Sequence, residues 1–95
     1  MSEQVFTFPT YDLAQSILGQ HNRYLHMMLE VISADVVARG DTVVIKGDEE
    51  NVNALYRTLE ELVFLYREGS TITESQVRIA AKPVSYTHLT LPTKR

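Results

Sequence analysis

Five consecutive residues between two predicted helices have the chemistry needed to hold an anion. They are Gly19, Gln20, His21, Asn22 and Arg23. A glycine allows the backbone to approach a bound group closely, and an arginine beside a helix N-terminus can hold a phosphate or a carboxylate. The same residues also suit a capped helix start whose histidine and arginine are simply solvated. Both interpretations stay open, and phosphate contact is the functional one.

Two basic residues of the predicted sheet extend this candidate site. Arg39 ends one β-branched run, and Lys46 ends the next. Each could steer a nucleic-acid backbone by its charge, and each alone is also an ordinary solvated strand residue. The predicted nucleic-acid-binding set is therefore Gly19, Gln20, His21, Asn22, Arg23, Arg39 and Lys46.

Other chemistries find little support in the residue spacings. His21 and His26 are five residues apart, so they do not have the i, i+4 spacing of a helical metal pair. The carboxylates of Glu49, Glu50, Glu60 and Glu61 lie on the polar face of an amphipathic helix, where solvation explains them. No serine or threonine lies in the glycine setting of a nucleophile elbow. We therefore expect no enzyme activity, metal or cofactor in this chain.

Length and charge restrict the possible partners. The chain has 95 residues, no cysteine and a net charge of −3. This length suits one domain, and the acidic balance means that any nucleic-acid contact must come from a local patch. No apolar run approaches the roughly 18 residues that a membrane span needs, and the first residues do not resemble an export signal. We expect a cytoplasmic protein without a membrane partner.

The first half of the chain predicts a strand and two helices. Residues 5–8 alternate in polarity and read as a strand. Asp12 opens a first helix with Gln15 at capping-box spacing, and Gly19 ends it. Asn22 is placed to cap a second helix, whose apolar residues recur three and four positions apart.

The second half predicts a hairpin and two further helices. Residues 36–39 and 42–46 are strands around Gly40 and Asp41, a pair that favours a type II′ turn. A long helix follows Asp48 and ends at Gly69. Its predicted buried stripe is Val52, Leu55, Tyr56, Leu59, Leu62, Val63 and Tyr66.

A last short helix has its own start signal. Thr73 and Gln76 form a capping box, and the helix runs to about residue 81, before Pro83. The order β-α-α-β-β-α is that of the type I K-homology (KH) fold, whose first two helices are joined by a Gly-x-x-Gly loop. Here Asn22 replaces the second glycine, and asparagine tolerates left-handed backbone. Residues 1–83 are therefore predicted to be an α+β, KH-like domain: a three-stranded antiparallel sheet packed on helices, plus the short last helix.

An ordered series of motifs resembles the PhoH-like protein family. Residues 37–52 read VARGDTVVIKGDEENV, which resembles the family's Arg-Gly hairpin and acidic helix start. Residues 59–62 read LEEL and residues 67–69 read REG, as in the family's long helix and the turn after it. Residues 72–77 then match the family's pattern Ile-Thr-x-x-x-Val. The resemblance covers about residues 5–81.

This resemblance implies a function in RNA metabolism. PhoH-like proteins are cytoplasmic bacterial proteins in which a KH-like N-terminal domain precedes an ATP-binding P-loop ATPase domain. A P-loop requires the pattern Gly-x-x-x-x-Gly-Lys-Ser/Thr, and none of the four glycines here fits it. ATP is therefore expected to bind the intact parent protein and not this chain.

Two functional hypotheses remain. In the first, the chain is an accessory domain that binds single-stranded RNA through the Gly19 loop. In the alternative, it is a protein-docking or oligomerisation module that regulates the parent ATPase, and its hairpin edge or long helix contacts the absent ATPase domain or another subunit of the parent. The alternative predicts an unusually large exposed apolar patch. Residues 84–95 belong to neither hypothesis. They resemble a translated adapter sequence, and we expect them to be an unstructured artefact.

Overall fold

Three short segments rich in β-branched residues pair into one antiparallel sheet, and four helices complete the fold. The structure is a computed structural model that describes residues 2–81. Its elements are β1 (Ser2–Thr7), α1 (Tyr11–Leu18), a 3₁₀ turn (Gln20–Asn22), α2 (Arg23–Val31), β2 (Asp35–Arg39), β3 (Thr42–Gly47), α3 (Glu49–Arg67) and α4 (Glu74–Ala80). The predicted order and α+β class are confirmed, and the arrangement is consistent with a KH-like fold. Pro83 and the predicted artefact at 84–95 lie outside the described residues.

The sheet has the strand order β1-β3-β2, so the second hairpin strand is central. Arg39 pairs with Thr42 across a two-residue turn, as predicted. Gly40 has a φ of 56°, the sign that a type II′ turn requires at its first central position. The backbone amide of Phe8 donates to the carbonyl of Asp41 at 2.8 Å, which ties the end of the first strand to this turn.

The core lies between one face of the sheet and the helices. Phe6, Val43 and Ile45 point into it, while the residues that alternate with them point to the other face. The helix α3 packs on β1 and β3, and α4 packs against both α2 and α3. Between residues 2 and 81, no helix is both long and apolar enough to cross a membrane.

The buried stripe of α3 differs from the prediction at one end. Tyr66 is 39% exposed, whereas Thr58, which the apolar pattern passed over, is buried. The Thr58 hydroxyl donates to the carbonyl of Ala54 at 2.8 Å and lies 3.4 Å from that of Ala80 in α4. Because α4 packs on the side of α3 that carries Thr58, the buried stripe includes Thr58, and Tyr66 lies at the edge of the stripe.

The start of α1 corrects a second prediction. Thr10, and not Asp12, is the N-cap: its hydroxyl accepts from the amide of Leu13 at 3.1 Å. Thr10 has the extended backbone that an N-cap adopts, and Asp12 lies inside the first turn. At the start of α4 one half of the predicted capping box is present, since the Thr73 hydroxyl accepts from the amide of Gln76 at 3.3 Å, whereas Oε1 of Gln76 is buried without a hydrogen-bond partner among the described residues.

Candidate nucleic-acid interface

Gly19 occupies a position where any side chain would be strained. Its amide donates to the carbonyl of Gln15 at 2.9 Å and so closes the last turn of α1. Its φ of 81° and ψ of 171° fall in a region that is essentially restricted to glycine. A Cβ at this position would also lie 2.9 Å from Cγ of Tyr24. The Tyr24 ring thus packs directly against the backbone of the loop.

The two residues before α2 are left-handed. His21 and Asn22 both have a φ of 57°, and the Asn22 amide donates to the carbonyl of Gly19 at 3.1 Å. Asn22 is the N-cap residue of α2, as its position predicted, but its side chain makes no capping hydrogen bond. The reason is its left-handed backbone, since a capping side chain normally needs an extended one.

A small cleft opens beside this loop. Its volume is about 170 Å³. The walls come from one face of α1, the loop, and the end of the β2–β3 hairpin, and the lining residues are Tyr11, Ala14, Gln15, Leu18, Gly19, His21, Asn22, Ala38 and Gly40. The Gln15 side-chain amide donates to the Tyr11 hydroxyl at 3.1 Å, which places two polar groups at one wall.

The structure brings together part of the predicted set. Gly19, His21 and Asn22 line the cleft. Gln20 is exposed in the same loop, between lining residues. Arg39 is exposed on the strand between the lining residues Ala38 and Gly40, so it is the predicted sheet cation nearest in sequence to the cleft wall.

Arg23 is engaged elsewhere. Its guanidinium donates to the carboxylate of Glu74, the first residue of α4. The side chains are 67% and 38% exposed, so this is a surface ion pair. It forms because α4 packs against α2, which the sequence order alone does not reveal. Arg23 does not line the cleft.

Lys46 lies apart from the cleft. It is four residues along β3 from Thr42, about 13 Å at strand spacing. Its neighbours across the sheet are Glu3 on β1 and Asp35 on β2, so acidic residues lie on both sides of it. The structure does not bring Lys46 to the loop.

Tyr11 and Gln15 are the residues that sequence reasoning missed. They are four positions apart on the exposed side of α1, next to the Gly19 loop. This i, i+4 spacing of an aromatic and an amide was the available signal. Among residues 2–81, no group of three histidines, cysteines or carboxylates is placed to hold a metal ion.

The fold and the site together define a class: a small α+β domain whose first two helices are joined by a left-handed loop beside a cleft. The chain is similar to the PhoH-like protein of Bacillus subtilis (strain 168), with 32% identity over 71 residues, which is 75% of this chain and 22% of the relative. It is also similar to the PhoH-like protein of Mycobacterium leprae (strain TN), with 33% identity over 67 residues, which is 70% of this chain and 19% of the relative.

These matches confirm the family resemblance. Over the matched segment the chain is a PhoH-like sequence, and it spans about a fifth of the length of the curated relatives that it matches. No family model matches the chain. No solved structure matches it either.

Proposed function

We propose that this chain is an accessory domain that binds single-stranded RNA for a longer PhoH-like protein. The observation that carries the proposal is the position of the left-handed loop at one wall of a cleft. Single-stranded RNA is recognised through unstacked bases that enter such sites and through the phosphates between them. In our proposal the cleft holds a base and the loop contacts the neighbouring phosphate.

The lining of the cleft supports contact with a base. The exposed ring of Tyr11 offers a stacking surface, and the Gln15 amide has a donor and an acceptor for a base edge. Ala14, Leu18 and Ala38 supply small and apolar walls.

The loop backbone supports contact with a phosphate. The amides of Gly19 and Asn22 donate to the carbonyls of Gln15 and Gly19, and the amides of Gln20 and His21 lie between them in the loop. Backbone amides in a left-handed turn are donors that anions use in backbone nests. Gly19 adds no side chain that would block the approach.

The charges indicate weak binding. Among the described residues, His21 and Tyr11 are the titratable residues that line the cleft, and Arg23 is already paired with Glu74. Among the predicted cations of the described residues, Arg39 is therefore the nearest to the cleft in sequence, and because its side chain alternates with that of Ala38 it must reach a phosphate around the edge of the hairpin. If one or two phosphates are neutralised, a plot of the logarithm of the RNA association constant against the logarithm of the salt concentration should have a slope of about −0.7 to −1.4.

A fluorescence-anisotropy titration with a labelled single-stranded RNA at two salt concentrations tests this proposal. We expect a Kd of about 1 to 100 µM at low salt. Arg39→Gln should weaken binding and flatten the salt slope, and Gly19→Asp should abolish binding. Arg67→Gln, which removes an exposed cation at the end of α3, is the matched control and should change little. No binding at low salt, or equal losses from Arg39→Gln and Arg67→Gln, would refute the proposal.

The proposal extends to the longer protein through the family resemblance. We propose that the parent is a cytoplasmic bacterial protein that binds ATP in a separate ATPase domain. ATP should then show no saturable heat with this chain in isothermal titration calorimetry. Saturable binding of ATP to this chain would contradict the proposal that ATP binds only in the separate ATPase domain.

A further inference from the structure

The face of the sheet opposite the helices carries a row of valines. Val5 pairs with Val44, and Val44 pairs with Val37, so the three side chains lie side by side across the sheet. Val5 is 52% exposed and Val37 is 51% exposed. Among the described residues, α3 is the helix that packs on β1 and β3, and the buried residues Phe6, Val43 and Ile45 lie on the opposite face of the sheet.

One end of this face is acidic. Glu3, Lys46 and Asp35 form the row beside the valines, with the lysine on the central strand. The row has two carboxylates and one ammonium group, a net charge of −1. None of the three makes an ion pair within the described part of the chain, where Arg23 and Glu74 form the recorded pair.

The other end of the face is basic. Thr7, Thr42 and Arg39 form the row on the opposite side of the valines, with a net charge of +1. Asp35, Val37 and Arg39 alternate along β2, so they share one face of the sheet and follow each other in the order negative, apolar, positive.

We propose that this face is a docking surface for a second copy of this chain. A two-fold axis that lies in the interface, perpendicular to the strands and along the valine row, places the valines of one copy on those of the other. The same axis places the acidic row of each copy over the Arg39 row of the other. Each Asp35 then faces Arg39 of the second copy, and the symmetry makes this contact twice.

The self-complementary charges favour a second copy over other occupants. The described charges of the face sum to zero, so it has no excess of cations for RNA and none of the aromatic residues on which bases stack. An arrangement with the axis along the strands would instead oppose the two Lys46 side chains. Three short strands make a small interface, so we expect a weak dimer of the kind found in transient assemblies.

Charge reversal tests the proposal by sedimentation velocity on the full chain, from about 10 µM to about 1 mM. We expect wild type to dimerise reversibly in this range. Asp35→Arg and Arg39→Asp each place like charges together and should raise the dimer Kd at least about tenfold. An equimolar mixture of the two single variants should dimerise again, because every Asp35–Arg39 contact then joins opposite charges. The double variant should also recover, to within about threefold of wild type.

The apolar part of the face has its own test. Val5→Thr and Val37→Thr keep the branched shape and strand preference but add a hydroxyl, and each should weaken the dimer. Ile79→Thr removes a similarly exposed apolar group from α4 and should leave the dimer Kd unchanged. Circular dichroism of each variant checks that it is folded. The proposal would be overturned if the wild-type chain stayed monomeric throughout the concentration range. It would also be overturned if these substitutions left the dimer Kd unchanged, or if the mixture of the two charge variants did not dimerise.

Discussion

Gly19 is the residue on which the loop geometry depends most. Gly19→Ala should lower the free energy of unfolding by about 3 kcal/mol, because the backbone conformation is strained for alanine and the new Cβ would meet Tyr24. Gly40→Ala is the matched control. It has only backbone strain, since no atom of residues 2–81 lies within 4 Å of its Cβ position, and should cost about 1 kcal/mol. Urea denaturation of both variants measures this, and equal losses would contradict the packing account.

Glu74 should compete with RNA phosphates for Arg23. Glu74→Gln releases the guanidinium, so we expect RNA affinity to rise about two- to fivefold, the range of an exposed ion pair. The gain should disappear when Arg23 is also replaced by glutamine, and anisotropy titrations of the four proteins complete this double-mutant cycle.

Glu30→Gln provides the control for general charge. Glu30 is exposed near the other end of α2 and makes no recorded ion pair in the described residues. Its replacement should change RNA affinity less than Glu74→Gln does. A gain from Glu74→Gln that persists without Arg23 would show a general charge effect and would refute the specific competition.

Residue types along the chain could predict the loop but not its partners. The glycine after an apolar helix indicates a chain reversal, and this local signal located Gly19 correctly. The Arg23–Glu74 pair joins residues 51 positions apart, and Lys46 acquires its acidic neighbours only through strand register. Such contacts depend on tertiary packing, which has no signature in local spacing.

At the scale of elements, α1 positions both the loop and one wall of the cleft. Thr10→Ala removes the N-cap and should lower the free energy of unfolding by about 1 kcal/mol. Asp12→Ala, the cap expected from the sequence, removes only a favourable charge in the first turn and should cost about 0.5 kcal/mol. Urea denaturation distinguishes the two, and a larger loss from Asp12→Ala would contradict the observed cap.

The elements themselves were largely predictable. The Gly40–Asp41 turn, the apolar period of α3 and the Thr73 cap are local signals, and each gave the observed structure. The prediction failed at Asp12, where two possible caps lie two residues apart, and at Tyr66, where the packing of α4 redirects the buried stripe. The cleft could not be predicted, because its walls come from α1, the loop and the hairpin together.

At the scale of the whole molecule, the two proposed surfaces lie in different places. The cleft lies beside the loop, and the valine row lies on the sheet face away from the helices. Arg39 links the two surfaces, since it follows the cleft residue Ala38 in sequence and its side chain lies in the basic row of the open face. We therefore expect Arg39 substitutions to affect RNA binding and self-association together, whereas Asp35 substitutions should act mainly on self-association.

The most direct test of the proposed RNA site is an amide chemical-shift titration of the 95-residue chain with a short single-stranded RNA at low salt. We predict that the perturbed amides cluster around the cleft, at Tyr11, Gln15, Gln20, His21 and Gly40. The amide of Val5, on the open sheet face, should move little. Absence of saturable shifts, or shifts spread along the open face while the cleft stays unchanged, would contradict the account.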